Sequence, residues 1–304
     1  MLVSMRTYSL DDVYETRKRR DSWWTVYFVD PVACRVALPV ANHTRLTPNA
    51  LTVLSLVLGA VSAACFAANL LIAGAGFFYL SFMIDCVDGK IARLKGTGTP
   101  FGLWLDYVGD RIRVVLCAGG LAYGQYALTG DVRYVLLGAA VAVLDLFRYV
   151  NAPQMKRVRE AIREERQEAE PHLLGGAQQI GADPLGLERN GADPVGRDPF
   201  LTEHPEGEPR GRASRARAFH RFFRRLNRFL ARHRVRSHLM SGIEFHAAVF
   251  VIAPIAGAWA LIPLAAASGA LLLANEVFLV YRMWLFTRRH GVGSPQESRE
   301  HVLV

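Results

Sequence analysis

Charge is missing from the whole run between Leu46 and Ile84. Such a run cannot form the water-facing side of a globular domain. As one helix it would be about twice the roughly 20 residues that a bilayer crossing takes. It therefore predicts two membrane-spanning helices in a hairpin, turning in the 69–76 region. Cysteine is scarce as well: Cys34, Cys65, Cys86 and Cys117 lie in or near apolar segments without close pairing. That spacing excludes a disulfide framework and a thiolate zinc site, and leaves the four as small apolar residues. Lysine is rare, since nearly all of the 36 basic side chains are arginine. Residues 1–24 lack an apolar core before Trp23, so no secretory signal is expected there.

Apolar runs supply the rest of the fold. Spans three and four are expected over 114–130 and 132–150, and a last hairpin over 245–284, turning near Pro263. The fold class expected is all-α: a polytopic membrane protein of six transmembrane helices, with an N-terminal juxtamembrane helix and a cytoplasmic basic amphipathic helix. The net charge of +9 would suggest a nucleic-acid partner for a soluble chain. Here the arginines have another use, and no nucleic acid is expected. They collect in the N-terminal arm, the loop after span two, the segment after span four and the tail. The turns after spans one and five carry no charge, and the turn after span three holds only Asp131 and Arg133. The positive-inside rule then places both termini, and the loops on their side, in the cytoplasm of a cell-membrane protein.

Five segments follow in order: an arm and juxtamembrane helix (1–45), spans one to four (46–153), a cytoplasmic region (154–238), spans five and six (239–288) and a tail (289–304). Ser9 before Asp11 and Asp12 predicts a helix start, with the basic cluster 17–20 at its end. Trp23, Trp24, Tyr27 and Phe28 form an aromatic group suited to the water–lipid boundary. In the cytoplasmic region, 154–170 alternates acids and bases at helical spacing. Residues 171–209, rich in glycine, proline and acids, read as a disordered linker. From Phe219 to Arg232, phenylalanine and leucine recur at i, i+3, i+4, i+7 among arginines, a pattern suited to an anionic lipid surface.

The chemistry is expected between residues 85 and 110. Asp85 and Asp88 are three apart, and Asp106 and Asp110 four apart, so each pair shares a helix face. Two such helices packed side by side would gather four carboxylates, which cannot share a poorly solvated space as bare anions. An all-oxygen acidic cluster suits hard divalent cations such as Mg²⁺ or Mn²⁺. An ion-pair network with Lys90, Arg93, Arg111 and Arg113 is the structural alternative. Thr52 and Ser55 sit at the level of the acids, where helix bonding and substrate contact are both open to them. Asp145 and Arg148 are spaced to pair with each other, and Glu276 is a further acid at membrane depth.

Read position by position, the stretch is Asp85, two residues, Asp88-Gly89, two, Ala92-Arg93, eight, Gly102, three, Asp106, three, Asp110. This pattern resembles the signature of the CDP-alcohol phosphotransferase family, integral membrane enzymes that make phospholipid head groups. The resemblance implies transfer of a phosphatidyl-type group from a CDP-linked lipid such as CDP-diacylglycerol to an alcohol, with release of CMP. It implies two divalent ions, one on Asp85, Asp88 and Asp106 and the other on Asp85, Asp106 and Asp110, with Asp110 as general base. Gly89 would admit the nucleotide, Arg93 would bind a phosphate, and Asn49, Thr52 and Thr99 match positions that contact the cytidine diphosphate. Arg111 after the last aspartate resembles the inositol-phosphate-using branch; an inositol phosphate or glycerol phosphate acceptor would need basic residues, for which Arg111, Arg113, Arg148, Arg236 and Arg282 are candidates, with Asp145 beside them. Amino-alcohol and polyol acceptors stay open, as does a cation transporter lined by intramembrane acids. Family likeness also implies a homodimer.

Overall fold

The computed structural model describes residues 7–178, 232–235 and 240–290. Their regular structure is helical, apart from one isolated β-bridge between Asp21 and Val235. The helices are α1 (Leu10–Glu15), α2 (Asp30–His43), α3 (Pro48–Ala67), α4 (Leu71–Lys95), α5 (Pro100–Thr129), α6 (Val132–Gln178), α7 (Gly242–Ala256, with a π turn at its middle) and α8 (Ala258–His290). The described residues up to Met155 and from Arg232 to Arg288 belong to one compact unit; Lys156 onward in α6 belongs to a second, where Lys156 and Glu160 pair at 3.5 Å across one turn.

Local chemistry sets the boundaries. Ser9 opens α1 in a capping box with Asp12, and Arg17 donates from Nε to the Tyr14 carbonyl just beyond the helix end. Thr47 caps α3 and Thr99 caps α5, each with proline next, where a missing N–H costs nothing. The first hairpin turns more tightly than expected. Asn69 takes a left-handed φ of 60°, and α4 has already begun at Leu71.

The last hairpin turns at Gly257 and not near Pro263. Gly257 adopts φ 108°, which an L side chain resists, whereas Pro263 is held inside the second turn of α8. A second correction concerns the linker expected from Pro171: α6 runs on through Gln178. One proline forfeits a single backbone hydrogen bond and need not end a long helix. Residues 179–209, the amphipathic stretch up to Ala231 and Arg236 lie outside the described residues.

Four helices are long and apolar enough to cross a membrane: α3, α4, α6 over Val132–Glu164 and α8 over Ala258–Arg288. The other two expected spans differ for physical reasons. α5 has the length, at 30 residues, but its first half carries Asp106, Asp110, Arg111 and Arg113. α7 is apolar but short.

α3 is the packing axis: α4 and α5 both lie along it, and their backbones come less close to each other than to α3. Small residues let the backbones approach. A Cβ at Gly120 would stand 2.3 Å from the Ala63 carbonyl oxygen, and one at Gly124 would stand 2.2 Å from that of Phe66. Hydrogen bonds tie α3 to α4: Ser62 donates to the Gly74 carbonyl at 2.8 Å and Ser81 to that of Ser55 at 2.6 Å. Phe66 and Phe78 meet Phe250 of α7, with the Phe78 ring centroid 4.7 Å away. Gly124→Ala should therefore force α3 and α5 apart and lower stability by about 1–3 kcal/mol, the cost of overpacking. Thermal unfolding in detergent checks this, against Gly119→Ala, whose Cβ meets open space.

The N-terminal arm is anchored on the same unit. Buried Asp30 accepts from Lys90 Nζ at 2.7 Å and lies 3.5 Å from an Arg234 guanidinium nitrogen. Trp23 N–H donates to Glu244 at 3.0 Å, fixing the aromatic group beside α7.

Candidate active site

The site forms where α4 ends and α5 begins. Gly96, at φ 63°, closes α4 in a left-handed cap, and three residues later Thr99 accepts from Gly102 N–H at 3.0 Å to open α5. This tight reversal leaves Asp85 and Asp88 on the last turns of one helix and Asp106 and Asp110 on the first turns of the next. The helices do not pack side by side, as the spacing had suggested; both rest on α3, and the acids reach toward one another across the space between.

Three of the four carboxylates converge. Asp85, Asp88 and Asp106 each offer an oxygen within 4.8 Å of the others. Thr52 on α3 donates to Asp88 at 2.6 Å, and Ser55 Oγ lies 3.4 Å from Asp85. Both residues singled out at the head of α3 thus hold acids of the cluster. Asp110 is drawn aside: one oxygen accepts from Arg113, and the other faces Arg111 at 3.7 Å.

The ion-pair alternative can now be weighed residue by residue. Lys90 belongs to Asp30, Arg93 donates from Nε to the Thr16 carbonyl at 2.8 Å, and Arg111 pairs chiefly with Asp145. Arg113 alone, among the described residues, bonds motif acids closely, reaching Asp110 and, at 3.4 Å, Asp85. Among the described residues, no lysine or arginine forms a salt bridge with Asp88 or Asp106. The donor set left over is three carboxylates with oxygens only, which fits a hard divalent cation.

The glycines explain themselves differently. At Gly102 a Cβ would stand 2.5 Å from the Asn49 side-chain oxygen and 3.1 Å from Thr99 Oγ1, so Asn49 and Thr99 gather on that bare position. At Gly89 a Cβ would meet only the Arg93 guanidinium, at 3.4 Å and beyond, which is ordinary contact. Packing among the described residues does not demand glycine there.

Asp145 and Arg148 do not pair with each other, contrary to their spacing. Asp145, 1% exposed, accepts from Arg111 and lies 2.8 Å from His246 Nε2. Arg148 turns to Glu276 of α8 at 3.4 Å, which Asn151 also reaches at 3.0 Å. Each buried acid recruits donors from other helices, because a buried charge needs several partners. Arg282 lies over the Phe278 ring at 5.7 Å. His246, Asn151, Ser81 and the Arg111 stack on Tyr149 (4.1 Å) escaped the sequence reading, since no local spacing announces a partner on a distant helix. Asp145→Asn should leave Arg111 poorly compensated and cost about 3–5 kcal/mol, read as a lowered thermal midpoint in detergent.

Residues 45–165 match the family model described as CDP-alcohol phosphatidyltransferase. An archaetidylinositol phosphate synthase of Methanothermobacter thermautotrophicus is 34% identical over 105 residues, covering 34% of this chain and 50% of that protein. A bifunctional IPC transferase and DIPP synthase of Aquifex aeolicus is 44% identical over 69 residues, 22% of this chain and 15% of its own. A phosphatidylinositol phosphate synthase of Mycobacterium bovis is 35% identical over 82 residues, 26% and 38% of the two chains. The chain thus spans half or less of the length of these relatives.

Proposed function

We propose, from the premise that residues 45–165 belong to the CDP-alcohol phosphatidyltransferase family, that this chain transfers a phosphatidyl-type group from a CDP-linked lipid to an alcohol. The observation that carries the reading is the convergence of Asp85, Asp88 and Asp106, two of which pair with no lysine or arginine among the described residues. The trio would hold a divalent cation, Mg²⁺ or Mn²⁺, the first of the two that the family likeness implies. When bound, such an ion neutralises and polarises the phosphate oxygens of a nucleotide-linked substrate.

The chain's own residues account for the rest. The Arg93 guanidinium stands over the bare backbone of Gly89, so a phosphate laid there would meet a planar fork on one side and no side chain on the other. Thr52 orients Asp88, while Asn49 and Thr99 around Gly102 border the cytidine diphosphate. Asp110 takes the proton of the acceptor hydroxyl as its oxygen attacks the lipid-side phosphorus. The bond from that phosphorus to the CMP oxygen breaks, and CMP leaves with both electrons. The second carboxylate oxygen of Asp110, 3.7 Å from Arg111, is too far for a hydrogen bond there and is left to accept the hydroxyl proton.

Inositol phosphate is the acceptor favoured, on the strength of the names of the two inositol phosphate synthases; glycerol phosphate is second. α5 and α7 complete a six-span bundle in the cell membrane, with the acids and both termini on the cytoplasmic side, anionic lipid around the basic segments and a second copy as partner. A transporter reading is disfavoured because the acids gather at one helix hairpin instead of lining a path. The test is purified protein with Mg²⁺, CDP-diacylglycerol and a panel of inositol phosphate, glycerol phosphate, free inositol and ethanolamine, with CMP followed. Release with inositol phosphate alone is the expected result, and release with none of the panel would overturn the proposal.

A further inference from the structure

Arg113 is built into the acid site. It is 3% exposed and draws its socket from three helices. One guanidinium nitrogen donates to Ser55 Oγ of α3 at 2.9 Å and to Ser81 Oγ of α4 at 3.2 Å, and lies 3.4 Å from Asp85; the other donates to Asp110. Its stem crosses α3 over Gly59, where a Cβ would stand 2.8 Å from Arg113 Cγ. The Phe82 ring closes another side, 5.9 Å from Cζ. A glycine slot, two serine acceptors and two carboxylates seat the two terminal nitrogens of a permanently charged group, while Nε is buried without a hydrogen-bond partner among the described residues.

That seat coincides with the place the family likeness gives to a second ion. Asp85 and Asp110 are two of the three ligands that the likeness gives that ion, and here the guanidinium already bridges them. A planar fork and a hard cation compete for the same carboxylate lone pairs. A buried arginine stripped of its carboxylates would be left uncompensated, which disfavours its displacement. We propose that the Arg113 guanidinium stands in for the second cation, so that each chain holds one divalent ion, on Asp85, Asp88 and Asp106. Asp110 is then a base steadied by a side chain and is no metal ligand. This rests on the metal-dependent reading above and deepens it.

The experiment counts ions. Purified wild type, Arg113→Lys, Arg113→Met and Asp110→Asn are titrated with Mn²⁺, with free and bound ion followed by paramagnetic resonance. Expected are one Mn²⁺ per chain for wild type and Arg113→Lys, without the coupled spectrum of a paired-ion site. Arg113→Met should gain a second ion and show that coupling. Two ions in the wild type would overturn the inference, as would a folded Arg113→Met that still binds one. Should Arg113→Met fail to fold, Asp110→Asn decides: a count unchanged at one supports the inference, and loss of that ion sinks it. No binding by the wild type would overturn the metal reading itself, a distinct outcome.

Discussion

An Asp110→Asn protein is expected to release CMP about 10²–10⁴-fold more slowly than the wild type, the range for loss of a positioned general base. The amide keeps an oxygen for Arg113 to donate to, so α5 holds its place against α3 while the proton acceptor is lost. Membrane insertion and the elution profile in detergent should be unchanged. The KM for the CDP lipid should move little if, as proposed, the carboxylate acts on the acceptor hydroxyl. CMP release at the wild-type rate would mean that the proton goes elsewhere.

A still larger effect is expected at Asp85. It belongs to the convergent trio, lies 3.4 Å from Ser55 and shares Arg113 with Asp110. Removing even an outer partner of a metal ligand costs about 10–100-fold in affinity or activity, and a ligand itself should cost more. Asp85→Asn should therefore lose Mn²⁺ binding at micromolar ion and lower turnover by at least about 100-fold. Because Arg113 keeps Asp110 and two serines, the variant should still fold. The check is ion binding and CMP release on the same preparation; retention of both would remove Asp85 from the site.

Much of this was legible in one dimension. The helix start at Ser9 follows from a short side-chain oxygen before two acids, a local rule that needs no tertiary partner, whereas Thr99, read only as a nucleotide contact, also caps α5. The uncharged run ending at Ile84 announced α3 and α4 for the same reason. The pairs Asp85/Asp88 and Asp106/Asp110 predict that all four acids meet; three do, while Asp110 is drawn to Arg113. What escaped is what depends on other helices. That Asp145 chooses Arg111 and His246, and Arg148 chooses Glu276, is decided by which helices pack together. The last hairpin was misplaced because Pro263 is the louder signal, although Gly257 carries the positive φ. Arg113 looked like a free basic candidate for an acceptor phosphate. Only the serines and Gly59 on neighbouring helices show it bound inward.

The claim beneath all of this is that three carboxylates present a divalent ion to a nucleotide-linked lipid. The most direct measurement is CMP release from CDP-diacylglycerol and inositol phosphate by the purified protein, first with excess chelator and then with Mg²⁺ or Mn²⁺ restored. The account predicts no release under chelation and full recovery on adding either ion. Undiminished release in the presence of chelator would contradict it.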